Sequence, residues 1–170
     1  MLGYINFNPF STLEELENNA RFLHENHYQA AQFQYLSKKM QLFEGTRFFD
    51  NYMKDNDLSG NMILDAEYIY DFKDTRVGNA ASIIKLVQNE AVLFDCIDLE
   101  VSTLLHMNQL QDGDFGVEYA AFRKDVSDMN FEFFMKLLYL CKNDGSAVVG
   151  IIGLLNNYKD KYKKNIGRAK

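Results

Sequence analysis

From Thr75 onward, apolar residues recur at helical spacing with little to interrupt them, and no other feature constrains the fold of this chain as strongly. Ala80, Ile83, Ile84, Val87, Ala91, Phe94, Ile97, Val101 and Leu104 keep a three–four spacing over about seven turns. Asp112-Gly113-Asp114 and Gly116 break that stripe. Tyr119, Phe122, Val126, Met129, Phe133, Leu137 and Leu140 form a second, closed by Asn143-Asp144-Gly145. Val148, Ile151, Ile152, Leu155 and Tyr158 form a third. Each stripe must bury its apolar side against a neighbour, so residues 74–170 are expected to form a mainly α-helical C-terminal bundle or cap. Pro9 is the only proline, and it lies outside these helices.

Residues 1–73 read differently. Leu2-Gly3-Tyr4-Ile5-Asn6-Phe7 is an apolar and aromatic run that stops at the turn signal Asn8-Pro9-Phe10, as a buried strand does. Ser11 or Thr12 can cap a helix starting there, and Glu14 and Glu15 suit a helix N-terminus. Leu13, Leu16, Ala20 and Leu23 then define an amphipathic helix over residues 12–26. Ala30 to Leu36 alternates and reads as a second strand, with a third around Glu67 to Phe72. Strand, helix, strand in this length implies a βαβ unit with parallel strands. The expected fold is therefore an α/β N-terminal portion followed by the helical bundle. Parallel strands are normally flanked and covered by others, so the open edge should make the isolated chain prone to self-association.

Charge and cysteine usage narrow the functional classes. A formal net charge of −6 disfavours a broad phosphate-backbone footprint, so no nucleic-acid partner is expected. The basic tail, Lys159 to Lys170, reads as a solvated end. No apolar run approaches the ~18 residues of a membrane span, and with no leader pattern the default location is cytoplasmic. Cys96 and Cys141, the two cysteines, offer neither a disulfide framework nor metal-ligand spacing.

The segment Gly3-Tyr4-Ile5-Asn6-Phe7-Asn8-Pro9-Phe10-Ser11-Thr12-Leu13-Glu14-Glu15-Leu16, with Asn19 and Phe22-Leu23, resembles the fifth strand and helix of radical S-adenosylmethionine enzymes, most closely the cobalamin-binding branch. Phe33-Gln34-Tyr35-Leu36 and Glu44-Gly45-Thr46-Arg47-Phe48-Phe49 resemble the sixth strand and the turn after it. Tyr68 to Val77 is similar to the tyrosine-rich segment after the barrel, so the likeness covers roughly the first 77 residues.

The resemblance implies that residues 1–73 form the C-terminal part of a partial (β/α) barrel that binds S-adenosylmethionine. It implies that Ile5 packs on the adenine, that Leu36 and Ser37 lie by the adenine or ribose, and that Asn6, Asn8 and Tyr35 line the cavity. Cobalamin is a further cofactor of that branch. The departures are as informative. The three-cysteine loop and the glycine-rich strand of the family are absent, Ser11 replaces a glutamate and Glu44 a proline. A 4Fe–4S cluster needs several thiolates from one region. The implied role is then the C-terminal portion of such an enzyme, acting on a small-molecule or peptide substrate, with the cluster held by a missing N-terminal half or a partner chain. The alternative is a non-catalytic helical protein-interaction module.

Other motifs read more plainly as structure. His24 and His27 lack the His-Glu-x-x-His spacing and suit a helix C-terminus, as does His106. Asp95, Asp98 and Glu100 lack the Glu-x-x-His pairs of a di-metal bundle. Asp112-Gly113-Asp114-Phe115-Gly116 lacks the ligand ladder of a calcium loop and reads as a turn. Gly45-Thr46 reads as a turn and helix cap.

Overall fold

The computed structural model describes residues 5–26, 33–54, 62–63, 67–68, 70–88, 113–143 and 147–168. Of these, 75% are helical. Helix α1 spans Leu13–Glu25, α2 is the single turn Gln34–Ser37, and α3 spans Arg47–Met53. Residues 75–88 form α4, followed by α5, Gly113–Lys142, and α6, Ala147–Arg168.

The caps explain where the first helices begin. Thr12 accepts the Glu15 amide at 3.2 Å while the Glu15 carboxylate accepts the Thr12 amide at 2.9 Å, a reciprocal capping box that satisfies two otherwise orphaned donors. Leu13, Leu16, Ala20 and Leu23 form the buried stripe of α1. Before α3, Gly45 takes a positive φ of 78°, and Thr46 caps the helix by accepting the Phe49 amide. Asp74 stands before α4 and accepts the Arg76 amide at 3.0 Å. The Arg76 guanidinium also grips both Asp74 oxygens, and this hydrogen bonding holds the carboxyl below its usual range.

Helix α5 carries the packing. Val126, Met129, Phe133, Phe134, Leu137 and Leu138 are all buried on it, a wider apolar surface than one partner can cover. α1 and α6 both pack on α5. Asn130 with Tyr158, Glu132 with Lys161, and Leu140 with Gly150 show that α5 and α6 run antiparallel. The Tyr158 hydroxyl donates to Asn130 Oδ1 at 2.8 Å, so both polar groups are paired inside the interface. A Cβ on Gly150 would lie 3.1 Å from Leu140 Cδ2, so glycine lets the two helices approach there. Between α1 and α5, His24 Nε2 meets Asp128 Oδ1 at 2.9 Å and its ring stacks 4.2 Å from Phe131. Burial pushes the Asp128 carboxyl up, but hydrogen bonds from Lys124 and His24 outweigh it and leave the group below its usual value.

The expected α/β portion is not what the chain builds. Among the described residues there is no parallel sheet and no barrel wall. The expected strand ending at Phe7 reduces, in its described part, to one parallel bridge between Phe7 and Lys39. Within the run 30–36, residues 33–36 are a turn and α2: the Leu36 and Ser37 amides both donate to the Phe33 carbonyl and Lys38 donates to Gln34. The alternation misleads because Phe33, Tyr35, Leu36 and Ser37 are all buried, which a helical turn allows and one face of a strand does not. Glu67–Tyr68 does pair, but with Met62–Ile63 in two antiparallel rungs. A parallel sheet needs neighbours on each side, and the described chain offers none, so helix packing claims these segments instead. The turn expected at Asp112–Gly116 also shifts, since α5 already begins at Gly113 and runs through Gly116; an interior glycine costs only about 1 kcal/mol, which packing overrides. The 89–104 part of the long stripe, with Cys96, His27 and His106, lies outside the described residues.

Phe134 is fully buried and meets the Phe7 ring edge-on at a centroid distance of 6.1 Å. Phe134→Ala should therefore destabilise the fold by about 3–5 kcal/mol, measured by urea unfolding. Gly153, on α6, has nothing within 4 Å of an added Cβ. Gly153→Ala should raise stability by about 0.5–1 kcal/mol in the same assay, through helix propensity alone.

Candidate functional site

Asn6 is the hinge of the site. It is buried, and its Nδ2 donates to the Leu36 carbonyl at 2.8 Å while its Oδ1 accepts from Asn19 Nδ2 at 3.3 Å. The Asn6 and Phe7 amides both point at the Lys38 carbonyl at 3.1 Å, and the Met40 amide donates to the Phe7 carbonyl at 2.7 Å. Two segments about thirty residues apart in sequence are thus laced side by side. Asn8 then closes the turn: its Oδ1 accepts the Phe10 amide at 2.9 Å, and its own amide donates to Ser11 Oγ at the same distance. Ser11, which stands where the resembled family has a glutamate, is buried in this local network.

The lacing separates the six expected site residues into three settings. Ile5 and Ser37 border an open groove of about 500 Å³, along with Lys38, Lys39, Gln41 and Phe43, and its far wall is α4. Tyr35 and Leu36 turn the other way, into a crevice of about 10 Å³ between α1 and α5, space for no more than a single water. Asn6 and Asn8 spend their side chains on the backbone and on Asn19. They shape the site from beneath.

The α4 wall is not among the site residues expected from the sequence, which places Ile84 only in an apolar stripe. Ala81, Ile84, Lys85 and Gln88 fall at i, i+3, i+4 and i+7, one face of the helix. Ala81 and Ile84 are buried and anchor that face, while Lys85 is exposed. The legible signal is the lysine after the paired isoleucines in the stripe, which helical periodicity places beside the core edge. Opposite it stands half-buried Lys39, whose ammonium also lies 5.1 Å from the centroid of the Phe72 ring. Burial, and then the nearby Lys85 charge, lower the Lys39 pKa from its usual value.

The donor set decides what chemistry the groove admits. Ile5 and Phe43 are exposed apolar groups suited to a flat or apolar ligand body, and Ser37, Gln41 and Gln88 supply polar contacts. A 4Fe–4S cluster does not fit: the chain has two cysteines, and the described one, Cys141, is half-buried on α5 with burial raising its thiol pKa. Among the described residues no three His, Cys, Asp or Glu side chains gather as metal ligands. No helix among them is long and apolar enough to cross a membrane.

Removing the Asn6 side chain strips the buried Leu36 carbonyl of its donor. Asn6→Ala should cost about 1–3 kcal/mol in urea unfolding. Asn6→Asp should cost more, because it sets a carboxylate oxygen against that carbonyl. Comparison with protein-family models, with curated proteins and with solved structures finds no match.

Proposed function

We propose that this chain contributes a ligand-binding wall to an enzyme of the radical S-adenosylmethionine type, with the cluster held by another segment or chain. The observation that carries the reading is the lacing of the Asn6–Phe7 segment to residues 36–40, which sets Ile5 and Ser37 on one groove. The resemblance assigns Ile5 to the adenine and Leu36 and Ser37 to the adenine or ribose, and of these Ile5 and Ser37 share the groove while Leu36 faces the other way. When bound, the cluster and S-adenosylmethionine would supply the radical chemistry of such enzymes. The protein's share is to seat the ligand: Ile5 and Phe43 offer apolar cover, and Ser37 a polar contact at the rim.

A second reading is favoured by a different observation. Val117 and Tyr139 on α5, Val149 and Ile152 on α6, and Leu86 on α4 are all exposed. They suit a non-catalytic helical module that binds another protein.

One experiment separates the two. Immunoprecipitation of the native protein with intact mass spectrometry should recover either a longer polypeptide or a partner bearing a Cys-x-x-x-Cys-x-x-Cys loop. That assembly should bind S-adenosylmethionine, more weakly after Ile5→Asp. A free chain of 19.7 kDa, or a partner without such a loop, would leave the interaction module standing alone.

A further inference from the structure

We propose that the groove between residues 37–43 and α4 is an oxyanion subsite, taking the phosphate or carboxylate end of a small ligand between Lys39 and Lys85. This subsite deepens the enzyme reading by naming the chemistry of what the groove holds, and it rests on the same groove without requiring the radical reaction.

Lys38, Lys39 and Lys85 all line the groove, and no described lining residue is a carboxylate. The concentration of positive charge is local, because the whole chain carries a formal net charge of −6. General attraction cannot draw anions to such a protein, so any that bind must find a specific cluster. Both sides are held in place by other parts of the fold. The backbone of residues 38–40 is tied to Asn6 and Phe7 by three hydrogen bonds. Lys85 rides on a helix face anchored by buried Ala81 and Ile84.

Burial, and then the Lys85 charge on the other side of the groove, make Lys39 give up its proton more readily than an ordinary lysine, so the two ammonium groups repel each other. An oxyanion placed between them removes that repulsion and forms charge-assisted hydrogen bonds. Gln41, Gln88 and Ser37 add neutral polar contacts around it. Ile5 and Phe43 border the same groove, so the ligand is a small molecule with an apolar body and an anionic end, not a bare ion.

The test is calorimetric titration of the full chain with inorganic pyrophosphate and, separately, with citrate, to distinguish phosphate from carboxylate preference. At least one should bind saturably at one site. Lys39→Gln and Lys85→Gln should each weaken it by about tenfold, the loss of one charge-assisted contact. Lys39→Arg should largely retain binding, and Lys142→Gln, exposed at the end of α5 outside the groove, should match the unaltered protein. In the unaltered chain, the same anion should protect Lys39 and Lys85 from acetylation, read by peptide mass spectrometry, so the result does not depend on the variants folding. No saturable binding by either anion, equal losses in Lys142→Gln, or no protection would overturn the subsite. S-adenosylmethionine titrated in parallel keeps the readings apart. Its binding without either anion sinks the subsite alone, whereas anion binding to the chain with no S-adenosylmethionine binding by the native assembly sinks the enzyme reading alone.

Discussion

The burial of Phe134 and its neighbours on α5 is the constraint on which the rest of the structure depends. An aromatic ring of that size must be enclosed on every side, and no single helix can do it. α1 and α6 both pack on α5, while Phe7, from the extended segment before α1, meets the ring edge-on. Phe7 in turn meets Phe72, just before α4. The N-terminal segment, the approach to α4 and the long helices therefore share one apolar core. A smaller cluster around Leu42 and Tyr52 sits beside it, with Tyr52 bonded through its hydroxyl to the backbone of Asp71.

The groove is a consequence of that core. Because Phe7 is held against α5, the residues on either side of it cannot move freely, and the Asn6 side chain can reach Leu36 from a fixed position. The same anchoring directs the Lys38–Met40 backbone along the Asn6–Phe7 segment. Ala81 and Ile84 bring α4 to the opposite side through their own burial. A wet, cationic groove is thus bounded by elements whose positions are set by apolar packing elsewhere. That packing keeps both lysines on the groove although the Lys85 charge disfavours the charged form of Lys39.

Local elements are legible in the sequence to very different degrees. Thr12 with Glu15 announces a helix start that depends on nothing distant, and α1 begins where the capping box requires. Thr46 behind Gly45 is equally self-contained. The stripes around Phe133 and Leu155 predict helices because three–four periodicity over many turns has few alternative explanations. Phe33 to Ser37 misleads for the opposite reason. A run this short satisfies strand and helix periodicity equally, and its alternating aromatic residues favour the wrong choice. Of the candidate site residues, Ile5 and Ser37 do face a groove, whereas Tyr35 and Leu36 face a crevice in the helix packing. Which way each points depends on α2 being a helical turn, and the residues themselves do not reveal that.

Residue order alone set the helices around Phe133 and Leu155 and their apolar faces, and the caps of α1 and α3, together with a charge balance and cysteine content that limit the chemistry of the chain. Those properties arise from interactions within a few residues, or from composition, and need no distant partner. Tertiary packing was needed to stop the extended segments at a single bridge, to tie Asn6 to Leu36, and to set Lys39 and Lys85 on one groove. Each of these pairs residues about thirty or more positions apart. Such contacts form only when the burial gained around Phe7 and Phe134 outweighs the entropy of closing the intervening chain.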